Sequence, residues 1–177
     1  HLGHQSVLEA AVHQASREGG TPAVLTFDPH PSRLFRPAEA TRLIVPLEEK
    51  VRLLGDLGIH AVIVQPFTAA FAALSAEAFL DAITAALPTL GGIYVGQNFR
   101  FGKGRTGTID TLVEHFRPHN TPVFSMRRLQ RDGEAVSSTR IRALLENGRI
   151  EEANNLLGRN YAVTGVTVKG RQLGRTI

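Results

Sequence analysis

The sequence has 177 residues, enough for one domain and little more. Its 42% apolar and 20% charged residues fit neither a disordered chain nor a fibrous repeat. Twenty Lys and Arg against sixteen Asp and Glu leave a formal charge of +4, which favours anionic ligands, and the absence of Cys excludes disulfides, thiolate metal sites and thiol nucleophiles.

The chain opens on His1-Leu2-Gly3-His4 without an initiator Met, and both ends read as cut. Val7, Leu8, Ala11, Val12 and Ala15 are spaced as one face of a helix over 6–16, stopped by Gly19-Gly20. A strand over 23–27 empties into Asp28-Pro29-His30-Pro31, where two prolines forbid both a ladder and a helix. Pro46 opens a second helix carrying Leu47, Val51, Leu54 and Leu57, followed by a strand over 61–65. Ser75 caps a third helix with Ala76, Phe79, Leu80, Ile83 and Leu87 on one face, and Pro88 stops it. The apolar stretch over 69–87 contains Glu77 and Asp81, so it does not cross a bilayer, and a cytoplasmic location is expected.

Residues 92–96 form the next buried strand, leading into a Gly-rich loop. A helix with Leu112, Val113 and Phe116, a strand over 122–126 and a hairpin at Asp132-Gly133 come next. Two short helices over 139–146 and 150–157 end at Gly148 and Gly158, before an extended tail with Val163, Val166 and Val168. Strands alternating with helices read as a doubly wound parallel sheet in an α/β domain, which binds ligands at the carboxyl ends of its strands.

Three groups of residues carry chemistry. His1 and His4 flank Gly3 at a helix start, where backbone amides face an anion and two imidazoles can donate to phosphate oxygens. Solvated surface histidines are the plain alternative. Ser137, Ser138 and Thr139 precede a helix carrying Arg140 and Arg142, so hydroxyls, amides and guanidinium groups can converge on one phosphate. A simple helix cap explains the hydroxyls but not the two Arg. The segment from Gly96 through Asn98 and Phe101 to Arg105 interleaves glycine, cations and aromatics, which suits a ligand loop, with one Phe anchored in the core. Neither a Walker phosphate loop nor a dinucleotide glycine fingerprint occurs.

The segments HLGHQ, TFDPHP, PLEEKVRLLGDLGI, VGQNFRFGKGRTG, VSSTRIRALLENG and NNLLGRNYAVTG resemble, in this order, those of prokaryotic FAD synthetases. The resemblance covers nearly the whole chain. It implies a Rossmann-like sheet of the HxGH nucleotidyltransferase type over 1–158, followed over 159–177 by a linker and the incomplete start of a β-barrel riboflavin kinase. It implies FMN adenylyltransferase activity, with ATP and FMN giving FAD and pyrophosphate in the presence of Mg²⁺. The implied catalytic residues are His1, His4, Asn98, Ser138, Thr139 and Arg142, with Gly3, Gly96, Ser137 and Arg140 at ATP. Asp28, Pro29, Pro31, Phe35, Phe79 and Phe101 are candidates for the flavin wall, because an isoalloxazine needs a flat apolar or aromatic surface. No metal ligand is read from the sequence.

Two departures stand out. The family's opening strand and FDGV-type turn are absent ahead of His1, so an upstream central strand is expected to be missing. Residues 170–175 resemble the kinase's first glycine-rich turn, yet its PTAN segment is absent, so kinase activity is expected only in a longer parent chain. Three other readings stay open: another small-molecule nucleotidyltransferase, a non-catalytic flavin- or nucleotide-binding module, and a nucleic-acid-binding domain. Cations scattered without a long run argue against the last, and no membrane partner is expected.

Overall fold

The computed structural model describes residues 1–170, so part of the 170–175 turn lies outside the described residues. Helix α1 (Leu2–Glu18) begins a turn earlier than the apolar spacing indicates. His1 serves as its cap, with Nδ1 accepting the His4 N–H at 3.1 Å, a role the sequence reading assigned to no residue. Strand β1 (Ala23–Asp28) leads through a cis Asp28-Pro29 bond into the short helix α2 (Ser32–Phe35). Helix α3 (Leu47–Asp56) follows, with Glu48 and Glu49 in its first turn where the helix dipole favours them. Strand β2 (Ala61–Pro66) pairs with β1 in parallel, from Ala23 opposite Ala61 to Asp28 opposite Pro66.

After the single-turn helix α4 (Ala69–Ala72), Ser75 caps α5 (Ala76–Ala86) by accepting the Ala78 N–H at 3.1 Å. Strand β3 (Ile93–Gly96) pairs in parallel with β4 (Val123–Met126), and α6 (Ile109–Phe116), held by a reciprocal Thr108–Thr111 cap, joins them. The Asp132-Gly133 hairpin joins β5 (Gln130–Arg131) to β6 (Glu134–Ala135), both turn residues having positive φ. Helices α7 (Ser138–Glu146) and α8 (Ile150–Leu157) close the ordered elements.

The architecture is mixed α/β with parallel strand pairs. Among the described residues β1–β2 and β3–β4 share no hydrogen bonds, so the parallel sheet expected from the sequence is present as two separate parallel pairs. Residues 160–170 form neither helix nor strand, and Val163, Val166 and Val168 are exposed.

Two buried clusters organise the packing. Phe79, Leu80, Val95, Phe101, Leu112 and Phe116 form the first, between α5, β3 and α6. Val136, Ile141, Leu144, Ala153, Leu156 and Leu157 form the second, with Leu2 and Tyr161 against it, beneath α7 and α8. The 96–105 loop is drawn into the first cluster. At Gly102 (φ 73°) a Cβ would stand 2.7 Å from the backbone of Ala76, so only glycine lets the loop cross the start of α5. Phe101 then covers Gly107, whose added Cβ would meet the ring at 2.6 Å.

Candidate active site

The first turn of α1 and the start of α7 meet. A Cβ on Gly3 would lie 3.4 Å from the His1 ring and 3.6 Å from the Val136 carbonyl oxygen, immediately before the Ser137 cap. The N-termini of the two helices thus lie next to one another, and a helix N-terminus is a place where anions are favoured. The His1 and His4 rings stack at 3.9 Å with 20° between their planes. Because His1 Nδ1 accepts the His4 N–H, a neutral His1 ring carries its proton on Nε2 and can donate from there.

Four groups that attract anions surround this junction. His4 is pushed down to about 4, first by burial among protein atoms, then by the positive charges of the chain's first amino group and Lys50. One edge of His4 remains open to solvent, which moderates the burial effect, but both charges act in the same direction: the ring is neutral at pH 7. His30 is lowered by burial, then by Arg142 and Lys50. The Ser32 N–H donates to His30 Nδ1 at 3.2 Å, leaving the proton of the neutral ring on Nε2. Lys50 projects from α3 toward β1 and donates to Thr26 Oγ1 at 3.3 Å, with no carboxylate within ion-pair distance among the described residues. Arg142 is half-buried, and its Nε donates to the Arg42 carbonyl at 2.7 Å.

The remaining predicted residues divide. Ser138 and Thr139 form the first turn of α7 and stay partly or fully exposed. Asn98 is exposed just beyond β3, the strand on which α1 packs, and Gly96 has open space where a Cβ would stand. Ser137 is the α7 cap, accepting the Arg140 N–H at 3.2 Å. Arg140 is held by the hairpin: Nε lies 3.0 Å from Glu134 Oε2, and Nη1 donates to the Arg131 carbonyl at 3.1 Å. Without a ligand its guanidinium is thus bonded to the hairpin rather than turned free toward the α1–α7 junction.

Asp28 and Pro29 are exposed and Pro31 half-buried at the carboxyl end of β1. Phe35 is 64% exposed and meets Phe67 edge-on at 5.9 Å. Phe79 and Phe101, by contrast, are buried in the first cluster with ring centres 5.5 Å apart and present no face to a ligand. This corrects their place in the flavin wall. Helix α5 needs Phe79 on its inner face, and only that burial lets the 96–105 loop close.

Sequence reasoning missed Lys50 and His30. Lys50 follows two Glu on an amphipathic helix and has the pattern of a solvated surface residue, so only the packing of α3 on β1 identifies it. His30 lay inside the quoted proline loop. Also missed was an open cleft of about 630 Å³ between Ser6 on α1 and the 125–130 segment, which includes Arg127 and Arg128. The Arg pair at a strand exit was the available signal.

The FAD synthetase family model matches residues 1–140. The chain belongs to the FAD synthetase family. It is 36% identical over its whole length to the bifunctional riboflavin kinase/FMN adenylyltransferase of Bacillus subtilis, covering 56% of that protein. It is 33% identical to an FAD synthetase of Listeria monocytogenes, with 98% of this chain and 70% of the relative aligned. A crystal structure from Streptococcus pneumoniae, described as a macrolide-efflux protein, superposes with a TM-score of 0.88 at 28% identity, over 99% of this chain and 57% of its own. The chain thus spans a little over half the length of the bifunctional relatives. No helix among the described residues is long and apolar enough to cross a membrane.

Proposed function

We propose that this FAD synthetase family chain is an FMN adenylyltransferase, joining AMP from ATP to FMN to give FAD and pyrophosphate. The observation that carries the reading is the packing of Gly3 against Val136, which brings the HLGH turn and the SSTRIR turn to one place. An ionised phosphate oxygen of FMN attacks the α-phosphorus of ATP. The P–O bond to the β-phosphate breaks, and pyrophosphate leaves with the electron pair. The nucleophile is already deprotonated, so the protein supplies position and charge neutralisation.

His1 and neutral His4 donate hydrogen bonds at the α-phosphate, with Gly3 allowing close approach. Ser138, Thr139 and Arg142 hold the outgoing phosphates, Lys50 and His30 add donors, and Asn98 and Gly96 border the strand ends. Asp28, Pro29, Pro31 and Phe35 remain the wall offered to the flavin. Mg²⁺ belongs to the same reading as a companion of the triphosphate. Among the described residues no three His, Asp or Glu gather as a metal site, and the imidazole, hydroxyl and guanidinium groups here suit phosphate oxygens.

The finer fold also belongs to this reading: β1–β2 and β3–β4 as two halves of a Rossmann-like sheet completed by a strand between them. So does the division at 158/159, with a riboflavin kinase module as partner in a longer chain, supported by the names of the relatives. The cytoplasm, where ATP is made and used, is the matching location. Chromatography of FMN and Mg·ATP mixtures tests the activity, comparing this chain with a version extended upstream. FAD in either supports the reading. Folded, FMN-binding protein that makes no FAD in either form overturns it in favour of a binding module.

A further inference from the structure

The end of α8 is fastened to the start of α1. Gln5 Nε2 donates to the Leu157 carbonyl at 2.9 Å, and Gly158, at φ 70°, fits so closely that an added Cβ would stand 2.6 Å from Leu2 Cδ2. From the other side, Asn154 Oδ1 accepts the Tyr161 N–H at 2.7 Å, so the 158–161 turn is fixed at both ends. Arg159 lies inside this turn, beyond residues 1–140 matched by the family model, in the NNLLGRNYAVTG segment to which no site role was assigned. It is half-buried, its Nη1 donates to the Asn160 carbonyl at 2.9 Å, and no carboxylate stands within ion-pair distance among the described residues. Its charge adds to the stronger hydrogen bond from Arg52 in holding the Glu49 carboxylate, beside Lys50, below its ordinary value.

An Arg in a fixed turn, half-buried and with no carboxylate in ion-pair range among the described residues, is suited to an anion from solution. We propose that Arg159 is a further binding residue for a substrate phosphate group at the α1–α7 junction, held there by the Gln5–Leu157 and Asn154–Tyr161 bonds. The inference rests on the adenylyltransferase reading for its ligand class: a phosphate of ATP or of FMN.

Calorimetric titration of ATP, FMN and inorganic pyrophosphate against the protein carrying residues 1–177, with Arg159→Ala and Arg159→Lys variants and parallel FAD assays, tests it. The alanine variant is expected to bind one substrate about tenfold more weakly at an unchanged melting temperature, and the lysine variant to recover part of the loss. Weaker ATP and pyrophosphate places the contact on the triphosphate; weaker FMN alone places it on the flavin phosphate. Unchanged affinities in both variants overturn the proposal, as does an equal loss in both accompanied by a lowered melting temperature. If neither the 1–177 protein nor its upstream-extended version makes FAD but pyrophosphate affinity falls on Arg159→Ala, the functional reading fails and the anion site stands.

Discussion

The α5–β3–α6 region and the α1–α7–α8 corner use opposite materials. The first is aromatic and closed: Phe79, Phe101 and Phe116 are each less than a tenth exposed, and glycines at 102 and 107 let backbone and ring come together. The second rests on aliphatic side chains, and above them His1, His4, Lys50, Arg142 and Arg159 gather without an acidic partner in ion-pair range among the described residues. Burial stabilises the first region. In the second, the positive charges of Lys50, Arg142 and Arg159 add little to stability and suit an anion instead, as expected where binding and stability draw on different residues.

The largest separation of the two regions should come from truncating Phe116, which is 2% exposed. Phe116→Ala is expected to cost about 3–5 kcal/mol in urea denaturation, with substrate affinity of the folded fraction preserved. A loss under 1 kcal/mol would show that the aromatic cluster is not the stabilising half. At the other corner, His4→Ala or Arg142→Ala should lower FAD formation more than tenfold, roughly 1.4 kcal/mol in the barrier, with little change in the urea midpoint. Parallel losses of rate and stability would erase the distinction between the regions.

A smaller effect sharpens the comparison through pH. Since the folded His4 ring sits at about 4, below the ordinary value of 6.5, the unfolded chain takes up its proton first as pH falls. Stability from this group is therefore complete above about 6.5 and declines toward 4. His4→Gln should flatten that part of the urea midpoint profile, whereas Phe116→Ala should lower the whole profile in parallel. An unaltered slope in His4→Gln would place the titration elsewhere.

Local rules made most elements legible. Ser75 and Pro88 bracket α5, Pro46 opens α3, and Asp132-Gly133 makes its hairpin. The start of α1 was missed because an imidazole, not a Ser, Thr, Asp or Asn, closes that cap. The HLGH and SSTRIR motifs were visible as strings, but their meeting is a tertiary fact fixed by Gly3 against Val136. Lys50 and Arg159 were illegible for the same reason: nothing in Glu-Glu-Lys or Gly-Arg-Asn states which helix lies opposite. Phe79 and Phe101 erred in the other direction, since an aromatic residue near a ligand loop looks the same whether it faces the ligand or supports the loop from below.

The Asn154–Tyr161 bond has a consequence for the polymer that follows it. A flexible linker lets what it carries sweep a volume that grows with its contour length. Here the turn before Tyr161 is already clasped to α1, so residues 162–170, which are neither helix nor strand, leave from the α1–α7–α8 corner with no slack before them.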